Sequence, residues 1–390
     1  MFFALIIISA FLLFCLINYV VDYIFFLKNR YSRFHIGRLD GEKWKNKIEK
    51  KAQKWLKHTP TVKISDNSRY MLIDIVKGKY RSSAIQSWQK AALLLGLSEI
   101  SSNYEENIKS FVNSHIDETG NWKEKIKNVD VCMLAYAILK CTDNKQRIKP
   151  AMDYAISVIN DNLTADNYVT YTGGKTACTF YVDTIGLVCP FLMLYAKEYN
   201  EQRYEHLAYR QIEMYHNFAM YMNTELPNHA IDISRKLPLG VYGWGRGVAW
   251  YIIGLLDSYL NAYDSTVKES IRKLMFLAAE SYKDFQSLDG GFSHILQMEN
   301  GYDSSATAVL AWFYSCCARI FCEEEYLEIS KKCLNKIKTV TRITGAIDWC
   351  QGDTKGIGTF ALTYDIMPFA QGMTLRAVSV FEGRIITDEE

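Results

Sequence analysis

The sequence predicts an all-α chain: an (α/α)6 barrel, a toroid of six helical hairpins, preceded by one N-terminal transmembrane helix. Three observations carry that expectation. Apolar residues recur at spacings of three and four from about residue 66 onward, the period of helices with one buried face. More apolar helices alternate with more amphipathic ones, giving a hairpin roughly every 55–65 residues, as two concentric layers require. Six prolines in 390 residues favour long uninterrupted helices. A curved helical solenoid is the alternative, but solenoid repeats are more alike in sequence than these hairpins are.

The first element is residues 2–21, in which only Ser9 and Asn18 are clearly polar. About 20 apolar residues suffice to cross a bilayer. A cleaved secretory signal needs a basic n-region and a small-residue cleavage site, and neither is visible. Residues 28–60 then hold eleven Lys/Arg against three Asp/Glu, which places them on the cytoplasmic side of an inner membrane, with Asp22 near the headgroups. The domain expectation is an anchor over 1–27, a basic juxtamembrane segment over 28–65, and a barrel over 66–390.

Within the barrel, the apolar spacing predicts helices over 84–97, 104–116, 130–141, 148–159, 183–199, 203–222, 247–263, 265–285, 304–321, 326–340 and 368–381. The apolar members are 130–141, 183–199, 247–263, 304–321 and 368–381, so these are the inner helices. Cys132, Cys189, Cys316 and Cys317 fall inside such runs, where free cysteine acts as a small hydrophobe. No C-x-x-C pair occurs, so no zinc or redox motif is supported. A net charge of +2 gives no reason to expect a nucleic-acid partner.

In a barrel of this kind the loops entering the inner helices gather at one end. The unusual local motifs all lie in such loops: Asn128-Val-Asp130, Tyr181-Val-Asp183, Asn228-His-Ala-Ile-Asp232, Tyr242-Gly-Trp-Gly-Arg-Gly247, Asp289 to His294 with Tyr302 to Ser305, and Gly352 to Gly358. Together they predict an acidic, aromatic, glycine-rimmed pocket suited to a sugar ring. Asp183 is a lone carboxylate among apolar and aromatic residues. Lost hydration there favours its neutral form, which a general acid requires. Taken alone, Asp183 reads first as a helix cap, and Asp130 equally as cap or as functional carboxylate.

The set FYVDTIG around Asp183, WGRG at 244–247, YDSSATAVLAWF at 302–313 and QGMTLRA at 371–377, in that order, resembles glycoside hydrolase families 88 and 105 over roughly residues 85–385. These are the unsaturated glucuronyl and unsaturated rhamnogalacturonyl hydrolases. The resemblance implies an (α/α)6 barrel with no metal and no organic cofactor, acting on an oligosaccharide. It implies removal of a 4,5-unsaturated uronic acid by protonation of the vinyl ether at C4 and addition of water at C5. By position, Asp183 is the implied acid/base and Asp130 the second carboxylate, whose charge would help Asp183 hold its proton. His229 is an implied substrate contact, and Arg246 offers a guanidinium to the uronate carboxylate. Trp244 and Trp250 are candidate stacking faces. Tyr181, His294 and Tyr302, with Ser305 and Thr307, complete the expected pocket.

Two other function classes stand beside this one. A catalytically silent barrel could bind glycan or scaffold polysaccharide assembly at the membrane, but Asp183, Asp130 and Arg246 together favour an enzyme. A sugar epimerase would need paired catalytic bases, and of seven histidines only His229 and His294 lie in suitable loops.

Overall fold

The computed structural model describes residues 2–60, 62, 86–100, 102–124, 126, 128–171, 174–222 and 224–383. It opens with α1 (Phe2–Arg33), followed by α2 (Gly41–Lys57), which starts at Asp40, whose carboxylate accepts from the Gly41 N–H. Five helix pairs come next: α3 (Gln86–Ile100) and α4 (Glu105–His115), α5 (Val131–Cys141) and α6 (Lys149–Asp161), α7 (Val182–Tyr199) and α8 (Gln202–Ala219), α9 (Gly245–Asn261) and α10 (Ser265–Lys283), α11 (Ser304–Ile320) and α12 (Glu324–Thr339). The last helix is α13 (Pro368–Phe381).

Packing follows the alternation in the sequence. Helix α3 packs on α5, α5 on α7, α7 on α9, α9 on α11, α11 on α13, and α13 back on α3, closing an inner ring of six. These helices are buried nearly all round, as α11 is from Ser304 to Cys317. The amphipathic helices cover them and bury one stripe each: Val267, Ile271, Met275, Ala278 and Tyr282 in α10. The ring closes tightly at glycine. A Cβ on Gly372 of α13 would run into the main chain of Ala92, and one on Gly96 of α3 into Gly372.

The sixth outer position departs from expectation. Residues 41–57, read as part of a basic segment ahead of the barrel, form α2, which packs over α3 and α13. Trp44, Ile48, Ala52, Trp55 and Leu56 lie on its buried face, a helical stripe that eleven nearby basic residues obscure. The expected boundary at 65/66 and the start of the helix expected at 84 lie outside the described residues. Asp22 also differs, because it is covered by protein.

Short strands absent from the sequence expectation connect the loops at the N-terminal end of the inner ring. Strands β1 (Thr179–Tyr181), β2 (Asn228–Asp232) and β3 (Leu237–Tyr242) form an antiparallel sheet in that order, with Tyr181 opposite Ala230. The β2–β3 register slips between Asn228 and Ala230, at His229. A bulge of this kind re-aims a side chain. Strands β4 (Cys350–Gln351) and β5 (Tyr364–Asp365) make a small hairpin whose loop folds over the same end. Asp303, which caps α11 at the Ser305 N–H, also accepts from the Gln351 N–H and so fixes where that loop begins.

The opposite end of the ring is closed by charge. Arg376 of α13 donates to both oxygens of Asp257 at 2.7 and 2.8 Å and to Glu99 at 2.9 Å. Lys140 reaches Glu99 at 2.7 Å, and the Tyr136 hydroxyl donates to Asp257 at 2.8 Å. All five side chains project from inner helices.

Candidate active site

A cavity of about 270 Å3 opens where the starts of α3, α5, α7 and α9 meet the β4–β5 loop. Asp183 stands in the first turn of α7 and lines it. The helix begins at Val182, and its N-cap residue Tyr181 makes no side-chain cap bond. The cap reading of Asp183 therefore does not hold. Its Oδ2 is buried and meets no hydrogen-bond donor among the described residues. The side chain keeps 20% exposure, enough for a substrate atom to reach it. Burial among apolar neighbours pushes its pKa up to about 7, with the charge of Asp353 adding to the rise and Arg246 opposing it.

Asp130, buried at the start of α5, also lines the cavity. It occupies the N-cap position but makes no cap hydrogen bond. Burial first, and Asp353 after it, raise its pKa to about 6. The expectation that Asp130 helps Asp183 stay protonated is corrected here: burial and Asp353 act on Asp183. Asp353 was not singled out in the sequence, although its loop was. Burial raises its own pKa as well.

His229 is brought to Asp183 by the pairing of β1 with β2. Its Nε2 lies 3.9 Å from Asp183 Oδ2, and its Nδ1 accepts from the Gly358 N–H at 3.3 Å. That donor places the ring proton on Nε2, facing the acid. Burial, with Arg246 nearby, lowers the pKa of His229 to about 4, so the ring is neutral at pH 7. It packs against Trp244, with centroids 4.6 Å apart, and Phe360, at 5.8 Å, and those two rings also touch each other.

Arg246 differs from expectation. It is 1% exposed, and its guanidinium donates to the carbonyls of Gln351 (2.7 Å) and Gly352 (2.5 Å). Those bonds make it a strut for the β4–β5 loop, in place of the open carboxylate receptor that the sequence suggested. Trp244 and Trp250 are walls of the cavity and are themselves buried. Trp244 donates to the Gln351 side chain, and Trp250 packs edge-on against Trp88. Tyr181 lines the cavity beside Tyr171.

His294 and Tyr302 are not part of this lining. His294 Nδ1 is 2.9 Å from the carbonyl of Gly301, and Tyr302 stands against Lys336. Ser305 and Thr307 are fully buried and bonded to Asp303. Residues that the sequence did not single out, Trp88, Tyr171, Asp353 and Lys355, do reach the cavity. Among the described residues, no three His, Cys, Asp or Glu side chains converge as metal ligands would.

This arrangement can hold a proton on a carboxyl at neutral pH, with a neutral imidazole beside it and aromatic walls around a ring-sized space. Comparison with known proteins bears on which reaction that serves. The family model described as Glycosyl Hydrolase Family 88 matches residues 47–378. No curated protein sequence matches the chain. Among solved structures, a possible member of glycoside hydrolase family 105 from Klebsiella pneumoniae is similar with a TM-score of 0.72 and 15% identity, covering 89% of this chain and 95% of that one. A family 105 glycoside hydrolase from C. acetobutylicum gives 0.67 and 17%, covering 79% and 97%. The unsaturated glucuronyl hydrolase of Bacillus sp. GL1, responsible for the degradation of glycosaminoglycan, gives 0.61 and 15%, covering 85% and 94%. At these identities the likeness shows a shared fold.

Proposed function

The chain belongs to Glycosyl Hydrolase Family 88 and is a glycoside hydrolase, and on that premise we propose that it removes a 4,5-unsaturated uronic acid from the non-reducing end of an oligosaccharide. One observation supports this most: Asp183 lies in the cavity, partly exposed, without a cation partner among the described residues, and with its pKa raised to about 7. A carboxyl in that state donates a proton at neutral pH. The vinyl ether of an unsaturated uronide needs a single proton donor and no carboxylate pair at glycosidase spacing.

In this reading Asp183 gives its proton to C4, and positive charge develops at C5 and the ring oxygen. Water adds at C5 and returns a proton to the Asp183 carboxylate. The resulting hemiketal opens to a ketone at C5, which leaves C1 as a hemiacetal that expels the rest of the chain as an alcohol. One water is consumed. His229, neutral and with its Nε2 proton toward Asp183, positions the acid and the incoming water. Asp130 is the second carboxylate, placed to hold ring hydroxyls. Lys355, exposed on the rim, supplies positive charge near the uronate carboxylate.

The proposal includes placement. Helix α1 is long and apolar enough to cross a membrane, and its apolar stretch is exposed. The basic residues that follow it favour a cytoplasmic catalytic domain at an inner membrane. A signal sequence would be removed, whereas the last turn of α1 is bonded into the barrel: Arg33 pairs with Asp348.

The test uses the full chain in detergent and a panel of unsaturated uronyl disaccharides, following loss of the ultraviolet absorbance of the C4=C5 bond. Loss with wild type and none with Asp183→Asn is the expected result. Glycan binding without absorbance loss would instead identify a binding protein.

A further inference from the structure

Helix α1 is locked to the rim of the acid pocket. Arg33 donates through Nε and Nη2 to the two oxygens of Asp348 at 2.6 and 2.7 Å, and through Nη2 to the carbonyl of Tyr364 at 2.8 Å. Arg342 shares Asp348 at 2.6 Å, donates to Asp365 at 2.7 Å, and grips Ser32 and Asn29 of α1 at 2.8 and 3.1 Å. The Asp348 side chain is fully buried. A buried carboxylate offsets its desolvation only when well paired, and Asp348 is bonded to both guanidinium groups.

What this joint grips is the pocket's own wall. Residues 348 and 364–365 are the two ends of the loop that carries Asp353, bonds His229 through Gly358, and stacks Phe360 on that histidine. Upstream, Asn18, Asp22, Phe26, Asn29 and Arg33 form one shielded stripe on α1, while residues 2–17 are exposed all round. Helix α1 makes no extended packing with any outer helix among the described residues. Residues 2–17 thus stand clear of the protein, while the last turn of α1 ends at the rim. A second cavity of about 420 Å3 lies between the end of α1 and the hairpin. It is lined by Arg33, Trp349, Leu362 and Tyr364 and reaches Gly352, one residue from Asp353 of the acid pocket. Trp349 is 45% exposed there and is held in a left-handed conformation at φ 60°, a strained geometry of the kind found at ligand clamps.

We propose that this joint holds the pocket mouth at the bilayer surface, and that the substrate is an unsaturated uronyl glycan attached to a lipid in the same membrane. The inference rests on the proposed reaction and on α1 crossing the bilayer. If the hydrocarbon edge falls between residues 21 and 28, the helical rise puts Arg33 roughly 8–18 Å beyond it, a reach of a few sugar units. Confining enzyme and glycan to one surface raises their effective concentration, and a mouth fixed near that surface exploits it.

The experiment places the full chain in lipid nanodiscs and compares one unsaturated uronyl oligosaccharide, either coupled to a phospholipid headgroup in the same disc or free in solution. A variant carries about twenty Gly/Ser residues inserted between Leu27 and Lys28, a loose linker that leaves the joint and the barrel intact. Wild type is expected to favour the lipid-coupled glycan at least tenfold in kcat/KM. The insertion should abolish that preference and leave turnover of the free glycan unchanged. A fluorescent residue at Leu362 should be quenched by headgroup-labelled lipid in wild type and not in the insertion variant. Equal turnover of the two glycans, or an unquenched wild-type probe, would overturn the proposal. Silence toward both glycans would count against the reaction, and the quenching would still decide the placement.

Discussion

The two ends of the barrel bury carboxylates in opposite ways. At the base, Glu99 and Asp257 face Arg376 and Lys140, and every charge has a partner. Burial there works to raise the pKa of Glu99, yet Arg376 and Lys140 outweigh it and bring it down to about 2. At the mouth, Asp130 is buried and Asp183 and Asp353 are partly buried, none of them pairs with a cation among the described residues, and each has its pKa raised. The nearest guanidinium, Arg246, donates to main-chain carbonyls. Burial of an acid therefore does not mark a catalytic group; the missing partner does.

That contrast can be broken at the base first. Replacing Arg376 with Met leaves Asp257 and Glu99 buried and unpaired, and should cost about 3–5 kcal/mol of stability in a denaturant titration. Losing its stacking over Trp312, 3.8 Å from the ring centroid, adds to the loss. At the mouth, Asp183→Asn should reduce kcat/KM about a thousandfold, or roughly 4 kcal/mol of transition-state stabilisation. The same change should leave the fold intact, because no cation loses its partner.

The pH dependences should run in opposite directions. Asp183 binds its proton more tightly folded than unfolded, so its contribution to stability is full below about pH 4 and is lost as pH rises toward 7. Wild type should therefore lose roughly 2–4 kcal/mol relative to Asp183→Asn across that window, at about 1.4 kcal/mol per unit. Glu99 does the reverse: its contribution is present above about pH 4.5 and disappears as pH falls toward 2. Thermal melts of both proteins from pH 3 to 8 would separate the two. The smallest effect is expected from Asp353→Asn. Removing that charge should move the alkaline limb of the activity profile, near pH 7 in wild type, down by a fraction of a unit.

The sequence made most of this barrel legible because inner and outer helices differ in how many faces they bury, and that difference survives in apolar spacing. Asp183, Asp130, His229, Trp244, Arg246, Trp250 and Tyr181 do converge on one cavity. What was not legible depends on distant partners. The strand pairing that sets His229 beside Asp183 involves a three-residue strand, too short for a periodic signal. The bonds of Arg246 are to main-chain carbonyls more than a hundred residues away. Asp353 sits in QGDTKGIG, where an acid among glycines reads as an ordinary turn. His294 and Tyr302 occupy a suitable loop, but their side chains are engaged elsewhere.

The central claim is that Asp183 delivers a proton to a vinyl ether carbon, in place of protonating a glycosidic oxygen. The direct measurement is the reaction of an unsaturated uronyl disaccharide with the wild-type chain in deuterated water, with mass and nuclear magnetic resonance spectra of the released sugar. The account predicts one deuterium at C4 of the product and no reaction with Asp183→Asn. Release of a uronate that keeps its C4=C5 bond and carries no deuterium at C4 would contradict it.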